Sequence, residues 1–167
     1  MFVKRGWERY ELPPAPDTPL LFDQQGCRYV PHVAAMQAGR TLAVHNADDT
    51  THNVNWKAKK NPSLNKSQGA GAPAIEGVFP YDEMAIALGC DIHPWMSAKL
   101  CVFEHPFFGV SDAAGNVTIA GLPAGSFDLG LWHESEGKKI VLSSSVKTIT
   151  IQAGETTSVE IVYAHKP

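Results

Sequence analysis

Polar and apolar residues alternate at period two through much of this chain, and no segment shows the three-to-four spacing of an amphipathic helix. In "TLAVHN", residues 41–46, Leu42 and Val44 face one way while Ala43 and His45 face the other. In "MAIALGC", residues 84–90, the same alternation puts Met84, Ile86, Leu88 and Cys90 on one face. "NVTIAGL" (116–122), "SFDLGLW" (126–132), "VKTITIQ" (146–152) and "TSVEIVY" (157–163) predict further short strands, cut apart by Gly, Pro, Asn and Asp. Short strands at this spacing predict an all-β sandwich. "ELPPAPDTP", residues 11–19, carries four prolines and reads as a stiff connector or edge wrap. Residues 57–77 are polar and Gly-rich without periodicity, so they read as a mobile surface loop. The texture of the chain changes near residue 108, which predicts two modules, 1–107 and 108–167.

Composition narrows the function. With 167 residues and 44% apolar content, the chain is long enough for one generous domain or two small ones. A net charge of −3 without like-charge runs argues against nucleic acid or another polyanion as partner. No apolar stretch reaches the length that spans a bilayer. "MFVKRG" alternates like a strand from the first residue and has no apolar core of a secretion signal. The expectation is that an upstream segment carrying an export signal is missing from this chain. Three cysteines, Cys27, Cys90 and Cys101, are too few and too odd in number for a disulfide scaffold.

Candidate chemistry gathers in "GCDIHPWM", residues 89–96. Cys90 ends a strand on its inward face. Two residues separate it from His93, and two more separate His93 from Met96. A short turn there, stiffened by Pro94, can bring thiolate, imidazole and thioether to one point. Copper electron-transfer sites use that donor set together with a second histidine. His52, which follows the polar turn after "HNADD", is placed to supply it. His45 shares parity with Ala43 and reads as solvent-exposed. Zinc accepts the same cysteine and histidines.

"YVPHVAAMQAGRTLAVHNADDTTHNV", residues 29–54, followed by "CDIHPWMSAKLCVF", residues 90–103, resembles the cupredoxins, the blue copper proteins of plastocyanin and amicyanin type. The shared features are an aromatic-x-Pro strand, a Gly-led strand ending in Asn, an upstream His-Asn and a C-x-x-H-x-x-M loop, and the likeness covers residues 20–105. It implies a Greek-key sandwich with one type 1 copper ion carrying one electron at a time. It implies His52, Cys90, His93 and Met96 as ligands, a redox partner protein, and a periplasmic or other extracytoplasmic location. Asn46 would hold the cysteine loop by hydrogen bonds. "SDAAGNVTIAGLPAGSFDLGLWHE", residues 111–134, resembles the transthyretin-like or carboxypeptidase-regulatory β module. That likeness implies a small second sandwich serving as spacer, packing partner or adhesion unit.

Several residues stand outside the cupredoxin pattern. Cys27 is open to three readings: a disulfide with Cys90, a second thiolate at the metal, or a buried bystander. The disulfide would make the protein a metal-free structural sandwich. The second thiolate would suit copper storage or delivery without redox turnover. Cys101 lies on the strand leaving the loop, opposite in parity to Leu100 and Val102, and reads as taking no part in the chemistry. His32, His105 and His133 are structural histidines that can also serve as auxiliary ligands, with His133 held by Glu134. His165 reads as exposed. Trp95 is either a docking surface beside His93 or a plug against the second module. No nucleophile–base pair, defensible carboxylate pair or phosphate-binding glycine loop argues for an enzyme.

Overall fold

The computed structural model describes residues 1–135, 140–142 and 148–165. Among them every regular element is a strand, in chain order β1 (Phe2–Arg5), β2 (Leu20–Gln24), β3 (Tyr29–Val30), β4 (Val33–Gln37), β5 (Thr41–Asn46), β6 (His52–Lys57) and β7 (Leu64–Gln68), then β8 (Ile75–Val78), β9 (Glu83–Gly89), β10 (Ser97–Phe103), β11 (Gly125–Gly130), β12 (Ile140–Leu142), β13 (Thr148–Ile151) and β14 (Tyr163–His165). No helix among the described residues is long and apolar enough to cross a membrane. The chain divides into two compact units, residues 12–106 and residues 1–11 with 107–167.

Residues 12–106 form a β-sandwich of two sheets. One sheet runs β3-β2-β5-β8 and the other β4-β10-β9-β6-β7. The pairs β2–β5 and β4–β10 are parallel, and the remaining neighbours are antiparallel. Alternation supplies the core. Phe22, Leu42, Val44 and Ile75 from the first sheet pack on Met36, Val54, Trp56, Ile86, Leu88, Leu100 and Val102 from the second. His45 is exposed as expected, although Ala43 of the same parity is buried.

Two expectations fail within this unit, each for a local reason. Residues 57–77 are not one surface loop, because β7 and the start of β8 lie within them. β7 is an edge strand, and the side chains of Asn65, Lys66 and Ser67 are exposed, so its apolar periodicity is weak. The predicted common face of Met84, Ile86, Leu88 and Cys90 is broken at its start. Ala85 has φ of +57°, and the β9–β10 register slips beside it. Such a bulge reverses the facing of the residues before it. Met84 is therefore exposed, while the charged Glu83 is turned inward and buried.

Glu83 is buried with its donors in place. Its Oε1 accepts the Lys59 N–H at 2.6 Å, and its Oε2 accepts the Lys60 and Asn61 N–H groups at 2.9 and 3.2 Å and the Asn61 Nδ2 at 3.1 Å. Burial alone would raise its pKa, but these hydrogen bonds outweigh it and hold the carboxyl below its ordinary value.

The other unit contains the antiparallel sheets β1-β11-β13 and β12-β14. Residues 1–11 belong to this unit and not to the one formed by residues 12–106. β1 pairs with β11, and the Val3 N–H donates to the Phe107 carbonyl at 2.9 Å. Sequence distance hides that pairing. The strand expected at 116–122 is irregular, and of 157–163 only Tyr163 enters a strand, as the start of β14. Residues 146 and 147 of the predicted 146–152 strand lie outside the described residues, while β13 covers 148–151.

Replacing Glu83 by Ala leaves three backbone donors without their acceptor, which costs about 2–4 kcal/mol in denaturant unfolding near neutrality. Because the folded pKa is depressed, this contribution is fully present above the ordinary glutamate pKa. It is lost as pH falls through the lower folded value. Unfolding curves of wild type and Glu83→Ala should therefore converge in acid.

Candidate metal centre

The pairing of β6 with β9 sets the Asn55 position opposite Gly89, so the start of β6 and the loop after β9 meet at one end of the sandwich. There the Asn53 N–H donates to Cys90 Sγ at 3.3 Å, and the His93 N–H donates to the same sulfur at 3.4 Å. The loop turns back through Met96 N–H to the His93 carbonyl at 2.9 Å, and β10 begins at Ser97. Cys90 and Met96 are buried within the apolar cluster, and His52 is fully buried.

The two imidazoles converge. His52 Nδ1 lies 3.0 Å from His93 Nδ1, with ring centroids 4.8 Å apart, and His93 Nδ1 lies 3.7 Å from Cys90 Sγ. Nitrogen and sulfur donors that bind one ion at about 2.0–2.3 Å sit roughly 3–4 Å from one another, and the His52–His93 and His93–Cys90 spacings fall in that range. Cys27 Sγ joins them: it and ring nitrogens of His52 and His93 all lie within 4.8 Å of one another. Among the described residues the cysteines are free thiols, so the Cys27–Cys90 disulfide is not the state of this structure.

Asp48, which the sequence reading did not single out, fixes the buried imidazole. Its Oδ2 lies 2.8 Å from His52 Nε2 and accepts the Cys27 N–H at 2.9 Å, while its Oδ1 accepts the Gly26 N–H at 2.7 Å. The Cys27 N–H, with the His52 and Gly26 hydrogen bonds, holds its carboxyl below the usual carboxylate range. An ionised Asp48 takes the Nε2 proton of His52 as a hydrogen bond. That assigns the tautomer in which Nδ1 faces His93 with its lone pair. A carboxylate four residues before a histidine is the sequence signal for this contact, but it is too common to select one.

The role expected of Asn46 falls to other residues. Asn46 Nδ2 donates to the carbonyls of Thr50, Gln68 and Gly69, and its Oδ1 accepts the Asp48 N–H, so it shapes the turn ahead of His52 and not the cysteine loop. The loop is held instead by Asn53, Asn55 and Asn65. Asn53 Oδ1 accepts the Asp91 N–H at 3.1 Å, and the Asn55 and Asn65 amides donate to the two Asp91 carboxylate oxygens at 2.8 and 2.9 Å. The Asn55 and Asn65 hydrogen bonds keep Asp91 below its ordinary pKa. Tyr29 adds a hydrogen bond from its hydroxyl to the Gly89 carbonyl at 2.9 Å.

Elsewhere the candidates are placed as structural groups. His32 Nδ1 sits 3.0 Å from the Ser97 carbonyl oxygen. His105 is buried and stacked on Phe103, with centroids 5.8 Å apart. His133 Nδ1 accepts the Ser135 N–H at 3.1 Å. Cys101 is buried, and burial pushes its thiol pKa up. The side chain of His165 lies outside the described residues. Trp95 is 67% exposed, lies against the His93 ring at 5.3 Å and donates from Nε1 to the Cys27 carbonyl at 3.2 Å.

Asp48→Asn removes the charge and one of the two acceptor oxygens that serve Gly26, Cys27 and His52, and is expected to lower metal affinity about 10–100-fold. Competition with a chelator in the full chain measures it, and an unchanged affinity would show that Asp48 does not position His52.

No protein-family model matches the chain, and no curated protein aligns with it. Among solved structures, part of the chain is similar to amicyanin from Paracoccus versutus, at 20% identity over 53% of this chain and 84% of that one, with TM-score 0.46. A reduced amicyanin variant gives 21% identity over 53% and 85%, also with TM-score 0.46. The copper-containing nitrite reductase of Thermus scotoductus gives 19% identity and TM-score 0.47 over 52% of this chain, which spans 23% of the reductase.

Proposed function

We propose that this protein carries single electrons on one copper ion of type 1 character, held by His52, Cys90, His93 and Met96 at one end of the sandwich. The observation that carries this reading is the convergence of His52 Nδ1, His93 Nδ1 and Cys90 Sγ, at 3.0 and 3.7 Å, beside a buried methionine. A thiolate with two imidazoles and a weak thioether is the donor set of copper electron-transfer sites. Copper, when bound, supplies the one-electron couple.

The chain's own residues account for the rest. Two backbone N–H groups point at Cys90 Sγ and suit a sulfur anion there. Asp48 keeps the His52 ring from turning. Asn53, Asn55, Asn65 and Asp91 hold the cysteine loop, so its donors keep their places when the charge at the centre changes. His93 is half-buried, and Ile92 and Trp95 beside it are exposed apolar groups. In this reading His93 is the edge through which the electron leaves, and Ile92 with Trp95 is where a redox partner docks. The setting is periplasmic or otherwise extracytoplasmic, and the second unit is a transthyretin-like spacer.

Cu(II) added to the metal-free full chain should produce an intense visible band from sulfur-to-copper charge transfer, and the product should be reducible and reoxidisable in one-electron steps. Cys90→Ser should remove the band or leave only a weaker, shifted one. A colourless wild-type complex, or zinc alone in protein purified without added metal, would overturn the reading.

A further inference from the structure

Cys27 occupies a position that a bystander has little reason to hold. Gly26 and Cys27 form the two-residue tip between β2 and β3, with φ of +59° and +54° and the Gln25 N–H donating to the Arg28 carbonyl at 2.9 Å. Positive φ at both tip residues is the pattern of a tight hairpin that favours Gly, Asn or Asp. Any other residue in the left-handed region costs about 1–2 kcal/mol. Cys27 is half-buried and packs against the edge of the core cluster, a contact that does not by itself require a left-handed backbone.

What the tip does is carry a thiol to the two imidazoles. Cys27 Sγ and ring nitrogens of His52 and His93 lie within 4.8 Å of one another. Both halves of the centre clamp the Cys27 backbone. Its N–H is bound by the Asp48 oxygen that also faces His52 Nε2, and its carbonyl is bound by Trp95 of the cysteine loop.

We propose that Cys27 is a second thiolate donor of this centre, beside Cys90, His52 and His93, and that it biases the site toward the soft cation Cu(I). The proposal rests on the copper reading above and departs from it in one respect: the site has two anionic sulfurs. Thiolates favour the soft Cu(I) over the harder Cu(II), so the second sulfur secures the reduced state of copper, although two cysteines and two histidines also hold zinc. No bond other than metal–sulfur is made, and each thiol gives up its proton to solvent as the metal binds.

The test uses the full chain, reduced and kept free of oxygen, with Cu(I) as the probe. Iodoacetamide labelling followed by mass spectrometry reads each cysteine separately. Cu(I) should slow alkylation of Cys27 and Cys90 together, with buried Cys101 as the internal reference. Cys27→Ser, which keeps the size of the side chain and both backbone hydrogen bonds, should weaken Cu(I) binding about 10-fold or more, at least the loss that removing an outer partner brings. X-ray absorption at the copper edge should lose one short sulfur neighbour in that variant.

The failures are distinguishable. Protection of Cys90 without Cys27 overturns the second thiolate and leaves the copper centre standing. Protection of both with unchanged affinity in Cys27→Ser means that Cys27 is shielded and not bound, which also overturns it. Protection of neither overturns the copper reading itself.

Discussion

Two backbone N–H groups aimed at one buried sulfur set the terms for this end of the molecule. One comes from Asn53, near the start of β6, and the other from His93, three residues past the sulfur. The first exists only because β6 pairs with β9 in a register that sets Asn55 opposite Gly89. A one-residue slip would reverse the facing of every side chain in β6 and take His52 out of the sandwich. The core holds that register, because Val54, Trp56, Ile86 and Leu88 fill the space between the sheets only when these strands keep their present facing. Packing in the middle of the sandwich therefore fixes donor positions at its tip.

Carboxylates connect loops to that frame. Asp48 joins the β2–β3 hairpin to the His52 ring, Asp91 ties the cysteine loop to β6 and β7 through Asn55 and Asn65, and Glu83 gathers the backbone of residues 59–61. Each has its pKa lowered by the hydrogen bonds it accepts. The same physics serves two ends. Around Glu83 it satisfies backbone groups that burial would otherwise leave costly. Around Asp48 and Asp91 it restrains side chains that flank the candidate donors.

The candidate residues stood out in the sequence because most of them are close together in it. Cys90, His93 and Met96 share one loop, and His52 begins a strand after a recognisable turn. What placed them at one end was alternation. Asn46 was misread because its short amide is used locally, in the turn it begins. The groups that brace the cysteine loop come from β6 and β7, and β7 was hidden in a polar stretch with no apolar period. Asp48 was passed over because acidic residues in a polar turn are ordinary until a buried ring is seen against one.

The sequence by itself determined the all-β architecture and the short spacing of Cys90, His93 and Met96, since period-two alternation and close spacings are local properties of a chain. Only the tertiary structure decided that β1 leaves the first module to pair with β11, that Ala85 turns Glu83 inward, and that Cys27 stands with His52 and His93. Each of these depends on residues distant in sequence, or on a single backbone angle, and neither leaves a periodic trace.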